Sequence, residues 1–137
     1  MSKFKVDLNA NDRPERFSDE GDYIVIIQGV ERAMTPQGVE KSVLTLADDK
    51  NRQIKDDLLN KETVHWRLNQ LIVATGMKIA HGTEFDFSRS GEFFNFVKSF
   101  VGMKLKITLK KETYEKDGEH KTKLKIARFS SAQDAPF

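Results

Sequence analysis

The stretch from Lys104 to Phe129, KLKITLKKETYEKDGEHKTKLKIARF, decides how this chain is read. Apolar and polar residues alternate on both sides of Asp117-Gly118. A period of two marks a strand with one buried face, and Asp-Gly between two such runs is a strong hairpin signal. Strands are therefore expected over Lys104–Tyr114 and Lys121–Phe129, joined by Glu115-Lys116-Asp117-Gly118. Leu105, Ile107 and Leu109 share one face of the first strand, and Leu124 and Ile126 continue it on the second. Lys104, Lys106, Thr108, Lys110, Glu112 and Tyr114 share the other face, with Lys121, Lys123, Lys125 and Phe129 on the same side. The hairpin has one apolar side and one side of lysines with an aromatic at each end.

Working back from the hairpin, Gly102 ends a short helix expected over Ser90–Phe100, with Phe93, Val97 and Phe100 on one side. Residues 78–89 read as a loop pinned by Phe85 and Phe87. Val64, Leu68, Leu71, Ile72 and Thr75 recur at helical spacing, so a helix is expected over residues 61–75, with Asn60 as N-cap and Gly76 as a left-handed C-terminal cap. Three strands precede it: Tyr23–Val30, Val39–Leu46 and Gln53–Leu58, separated by turns at Thr35-Pro36-Gln37-Gly38 and Asp48-Asp49-Lys50-Asn51. The order strand, strand, strand, helix, strand, strand is that of the OB-fold. The expected fold is mainly β, a five-stranded OB-fold-like barrel with a helix between strands three and four. Residues 1–20 read as an N-terminal arm, in which Phe4, Val6 and Leu8 alternate, 21–129 as the domain and 130–137 as a short tail.

The chain's 137 residues suit one domain with its own core. Cysteine is absent, which removes disulfides and thiolate chemistry together. The first seven residues have no apolar run of a secretory signal, and the longest apolar run, Tyr23 to Ile27, is far short of a membrane span. A cytoplasmic protein, with no membrane partner, is the expectation.

Net charge is only +2, but its distribution is uneven. Residues 1–100 hold 14 Lys/Arg against 16 Asp/Glu, whereas residues 101–128 hold nine against four. A local excess makes a patch, and a patch attracts a polyanion. Alternate strand residues lie about 6.6 Å apart, close to the phosphate repeat of an extended single strand. Lys104, Lys106, Lys110, Lys121, Lys123 and Lys125 could thus track a nucleic-acid backbone, while Tyr114 and then Phe129 stack bases. Arg32, Lys41 and Lys55 could extend the track across the first three strands. The competing reading is that lysines on a hairpin merely guard an exposed edge against aggregation. Trp66, Phe93, Phe96 and Phe100 are expected in the core. Tyr23 and Phe94 could face either way.

Enzymatic readings have less behind them. No phosphate-cradling glycine motif is present, and His65, His81 and His120 lack ligand spacing, so no metal or cofactor is implied. Asp48, Asp49, Asp56 and Asp57 surround the third strand and could hold a divalent ion for nuclease chemistry, although adjacent acids on a strand point to opposite faces. A third alternative is an interaction or assembly module that binds no nucleic acid.

Four groups of residues carry a resemblance. They are Gly21-Asp22-Tyr23-Ile24-Val25-Ile26; Trp66-Arg67-Leu68 with Leu71 and Ala74-Thr75-Gly76; Val101-Gly102 with Lys104-Leu105; and Glu112-Thr113-Tyr114 with Lys116-Asp117-Gly118. In these the chain resembles the phage-encoded single-stranded-DNA-binding proteins long described as a domain of unknown function. The resemblance implies an OB-like fold and a role coating single strands during phage replication or recombination in the host cytoplasm. Trp66 matches a hallmark of that family, which implies a structural role. The end of the chain, Gln133-Asp134-Ala135-Pro136-Phe137, is similar to the acidic Pro-Phe tips of bacterial single-strand binders. That likeness implies docking of Asp134, Pro136 and Phe137 on a replication or recombination protein, with one acid where those tips have several. The barrel's exposed edges could also pair two copies into a homodimer.

Overall fold

A computed structural model of the chain describes residues 16–132. Five strands form one antiparallel sheet: β1 (Gly21–Met34), β2 (Glu40–Ala47), β3 (Gln53–Leu59), β4 (Lys104–Lys116) and β5 (Glu119–Ser130). A 3-10 turn at Glu62–Val64 leads into α1 (His65–Thr75), and α2 (Glu92–Lys98) follows before β4. The mainly-β class and the element order agree with the sequence reading. Among the described residues no helix is long and apolar enough to cross a membrane.

The spatial order is β3-β2-β1-β4-β5. β1 is long enough to serve two neighbours, pairing β4 through Gly21–Ile26 and β2 through Ile26–Met34. It changes partner at Ile26, and just beyond, Gln28 is an extra residue between the Ile27–Leu46 and Gly29–Thr45 pairs. Such a bulge bends a strand and lets a small sheet coil around its core. β3 and β5 lie at the two ends of the order and share no ladder. Among the described residues the sheet is thus open along one seam, where a single parallel bridge from Arg16 to Gln53 touches the β3 edge.

Helix α1 spans that seam. Arg67 pairs with Asp56 and donates to the Asp57 carbonyl of β3 at 3.2 Å. One turn on, Gln70 Oε1 accepts the Phe129 N–H of β5 at 2.8 Å. Two polar tethers from one helix hold what a strand ladder would otherwise hold. Beneath them Leu68, Leu71 and Ala74 pack against Phe93, Val97 and Phe100 and the sheet's inward row of Val25, Ile27, Leu44, Leu46, Leu58, Leu105, Ile107 and Leu109. Both helices lie on this concave side; the convex side carries neither.

Local chemistry accounts for the boundaries. Asp117 and Gly118 both adopt positive φ, as a two-residue hairpin turn requires, so the β4–β5 ladder runs on to Lys116–Glu119. Gly76 ends α1 in the left-handed conformation, at the expected position. Asn60 does not cap the helix. Its side chain donates to the Phe87 carbonyl at 3.0 Å and its oxygen meets His65 at 3.1 Å, tying the 78–87 loop to α1. The start of α2 is capped from across the fold: Glu40 of β2 accepts the N–H groups of Gly91 and Phe94.

Within the stretch read as an arm, Phe17 is buried in the core cluster, 4.7 Å from the Tyr23 ring, with the Arg52 guanidinium against both rings. One expectation changes here. Trp66, expected in the core, is 58% exposed. At 100° per residue, position 66 lies about 200° around the helix from Leu68, which faces inward. The strand read at Phe4, Val6 and Leu8 lies outside the described residues, as does the tail containing Asp134, Pro136 and Phe137.

Candidate nucleic-acid interface

Register decides which side chains share a face, because residues directly opposite in an antiparallel pair project to the same side. Leu109 stands opposite Ile126 and both are buried, which fixes the concave side. The next pairs outward are Lys110–Lys125, Glu112–Lys123 and Tyr114–Lys121. On the β1 side, Lys106 stands opposite Ile24 and Lys104 opposite Ile26, away from the buried Val25–Leu105 pair. The six lysines expected to track a backbone therefore lie on one convex face. All are exposed except Lys106, which is half-buried.

A seventh cation joins them. Arg128 is exposed and opposite Thr108, whose hydroxyl donates to Asp22 at 2.7 Å. Parity from Ile126 also puts residue 128 inward, so simple alternation misses this placement. The register slips between Thr108 and Leu109, leaving Ala127 as an extra residue in β5. Every side chain beyond that point changes face.

The same slip corrects Phe129. It was expected on the lysine face as a base-stacking ring; it is 2% exposed, opposite Ile107, with the Arg67 guanidinium 5.2 Å from its centre. Phe129 is a core residue. Tyr114 keeps its expected side and is half-buried, with the Lys123 ammonium 5.3 Å from the ring centre.

From Lys104 to Tyr114 on β4 and from Lys121 to Arg128 on β5, the convex face holds seven cations and one carboxylate, Glu112. Glu112 sits 2.8 Å from Lys125 and its carboxyl is held below its ordinary range by that hydrogen bond and by the nearby charge. Lys110 directly opposite Lys125 is a like-charge pair, which costs a sheet a few tenths to about 1 kcal/mol.

The proposed extension across the first three strands divides. Arg32 lies opposite the buried Ser42 and is committed to Glu40 at 2.9 Å and to the Ser90 hydroxyl, so it belongs to the α2 capping network. Burial by itself would raise the Glu40 carboxyl, but the Gly91 amide, Arg32 and the Phe94 amide together hold it low. Lys41 is paired with Asp57 at 2.8 Å. Lys55 is exposed on β3.

The acids considered for metal chemistry are not brought together. Asp48 caps its own turn, accepting the Lys50 and Arg52 amides and pairing with the Arg52 side chain at 2.7 Å. Asp56 points inward to Arg67 and Asp57 outward to Lys41. Burial raises the Asp56 carboxyl more than Arg67 lowers it. Among the described residues no group of three or more His, Asp or Glu converges. Set against protein-family models and curated proteins, the chain matches none.

Proposed function

We propose that this protein binds single-stranded DNA without sequence preference, through the convex face of the β4–β5 hairpin. One observation carries the reading. Edge protection accounts for lysines on an edge strand such as β5. It does not account for Lys106, because β4 at that point is an interior strand flanked by β1 at Ile24 on one side and by β5 at Ser130 on the other; Lys104, paired with Ile26 of β1, continues the same face. A cationic face that runs inward from an edge has no anti-aggregation purpose there, and it has the shape of a backbone track.

Unpaired bases complete the reading, since only a single strand offers π-faces to Tyr114. The lysines neutralise phosphates without reading sequence. A role in phage replication or recombination follows from the family resemblance. Fluorescence-anisotropy titrations of single- and double-stranded oligonucleotides across a salt series test the proposal. With about four phosphate contacts, log K should fall against log[salt] with a slope near −3 on single strands. Equal affinity for both forms, or no binding at low salt, would refute it. DNA degradation dependent on a divalent ion would instead favour a nuclease.

A further inference from the structure

Helix α1 tethers β3 and β5 near Asp56 and Phe129, and among the described residues these two edges share no ladder, Arg16 bridging Gln53 at the start of β3. Between them lies an open groove of about 1100 Å³. Four cations line it, each from a different segment: Arg16 before β1, Lys55 of β3, Lys111 of β4 and Lys123 of β5. Ile54 and Leu124 supply an apolar lining. No carboxylate is among the lining residues; Glu20, near by in the chain, is engaged with the Lys111 backbone amide at 2.8 Å. None of these four cations has an ion pair among the described residues.

Lys111 is the informative member. Its parity on β4 is that of Leu105, Ile107 and Leu109, so it stands where the core row runs out and faces the seam instead of the convex surface. Lys123 belongs both to the convex face and to the groove. The two cationic surfaces are therefore continuous across the β5 edge.

We propose that the seam is a second segment of the single-strand path. A polynucleotide leaving the convex face crosses β5 at Lys123 and enters the groove, where Arg16, Lys55 and Lys111 meet its phosphates and the apolar lining receives a base. Cations converging from four segments call for an extended polyanion, and an apolar lining among them calls for one with unpaired bases. This inference rests on the single-strand reading of the convex face.

The test uses the full chain and fluorescein-labelled oligothymidylates of about 6 and about 16 nucleotides, lengths toward the two ends of the site sizes of single OB folds. Lys111→Glu probes the groove, Lys110→Glu the convex face one residue away, and Lys116→Glu the hairpin end as a control for long-range charge. All three lysines are exposed, and thermal melts verify that each variant folds. Lys111→Glu should weaken the long oligonucleotide about tenfold more than Lys116→Glu does, while changing the short one by less than about twofold. Lys110→Glu should weaken both lengths. A Lys111→Glu loss equal at both lengths, or no larger than that of Lys116→Glu, overturns the seam path, and the Lys110→Glu result then shows whether the convex face survives. If no variant changes binding, both readings fall.

Discussion

Replacing Phe129 by alanine should cost the fold and spare the ligand, whereas replacing Tyr114 should do the reverse. Phe129 is 2% exposed, opposite Ile107 and beneath the Arg67 guanidinium. Truncating a buried phenylalanine costs about 3–5 kcal/mol through lost transfer energy and the cavity left behind. The cation–π contact is part of the same loss, at roughly 0.5–2 kcal/mol, so a total near 4 kcal/mol is expected. For a chain of this size each kcal/mol moves the midpoint by about 3–5 °C, giving a fall of roughly 12–20 °C. Tyr114 sits on a two-stranded stretch with the Lys123 ammonium over its ring, and its loss should change stability by less than about 1 kcal/mol. Its removal should weaken single-strand binding by about 1–3 kcal/mol, a factor of roughly 5 to 150. Circular-dichroism melts give the first quantity, and anisotropy titrations well below both midpoints give the second. A Phe129→Ala protein that melts within a few degrees of the parent but no longer binds DNA would show that the face assignment beyond Ala127 is mistaken.

Removing Arg67 as Arg67→Met leaves Asp56 without its cation in a largely buried site, and urea denaturation at pH 7 should show a loss of about 3–5 kcal/mol. Because burial already holds the Asp56 carboxyl above its ordinary 3.8, and losing Arg67 raises it further, the folded state takes up the proton before the unfolded state does; the Arg67→Met penalty should therefore shrink as pH falls toward 4. Glu40 has the opposite sign: its folded carboxyl lies below the ordinary 4.5, so its contribution is present above that pH and lost as pH falls through the lower folded value. Glu40→Gln should lower the unfolding free energy from urea titration by about 1.5–3 kcal/mol at pH 7, and much less at pH 3. Ser42 is fully buried with an unsatisfied hydroxyl, so Ser42→Ala should leave the melting midpoint unchanged or raise it by the equivalent of up to about 1 kcal/mol. Hydrogen exchange read by mass spectrometry should be faster in residues 110–125 than in 106–109, because among the described residues the former have one partner strand and the latter two; equal protection would contradict the pairing.

The elements were legible wherever periodicity and turn chemistry agreed. Asp117-Gly118 specified its hairpin turn locally, and the helical stripe of Val64, Leu68, Leu71, Ile72 and Thr75 specified α1. Errors arose where a tertiary choice overrode a local rule. Asn60 has the chemistry of a cap, yet the carbonyl of Phe87 and the ring of His65 compete for its side chain. Trp66 was assigned to the core by residue type, although its angular position pointed away from it. In the candidate site, the six lysines were legible because β4 keeps period two throughout and β5 keeps it from Lys121 to Ile126. Phe129 and Arg128 were not, since nothing in Ile126-Ala127-Arg128-Phe129 announces an extra residue. One signal was available for Lys111: a charged residue in the apolar row marks where that row leaves the core. Arg16 and Lys55 had no such signal, because the groove they line joins segments far apart in sequence.

The open seam, the two-stranded ribbon and the charge excess have a common energetic consequence. A β3–β5 ladder would close the sheet and satisfy both edges, but here α1 holds the seam by two tethers at one end. Past Leu109, β4 has β5 as its sole strand neighbour among the described residues, and that ribbon carries Lys110, Lys111, Lys121, Lys123 and Lys125 against one paired acid, Glu112, short of its tip. Each of those charges repels the others, and Lys110–Lys125 does so at direct cross-strand distance. A two-stranded ribbon is marginal without further partners. The unliganded fold therefore holds unfavourable charge on its least supported element. A polyanion laid along the ribbon relieves the repulsion and supplies the missing neighbour in the same event, so under the proposed function the free energy that the fold forgoes at the seam returns as binding energy.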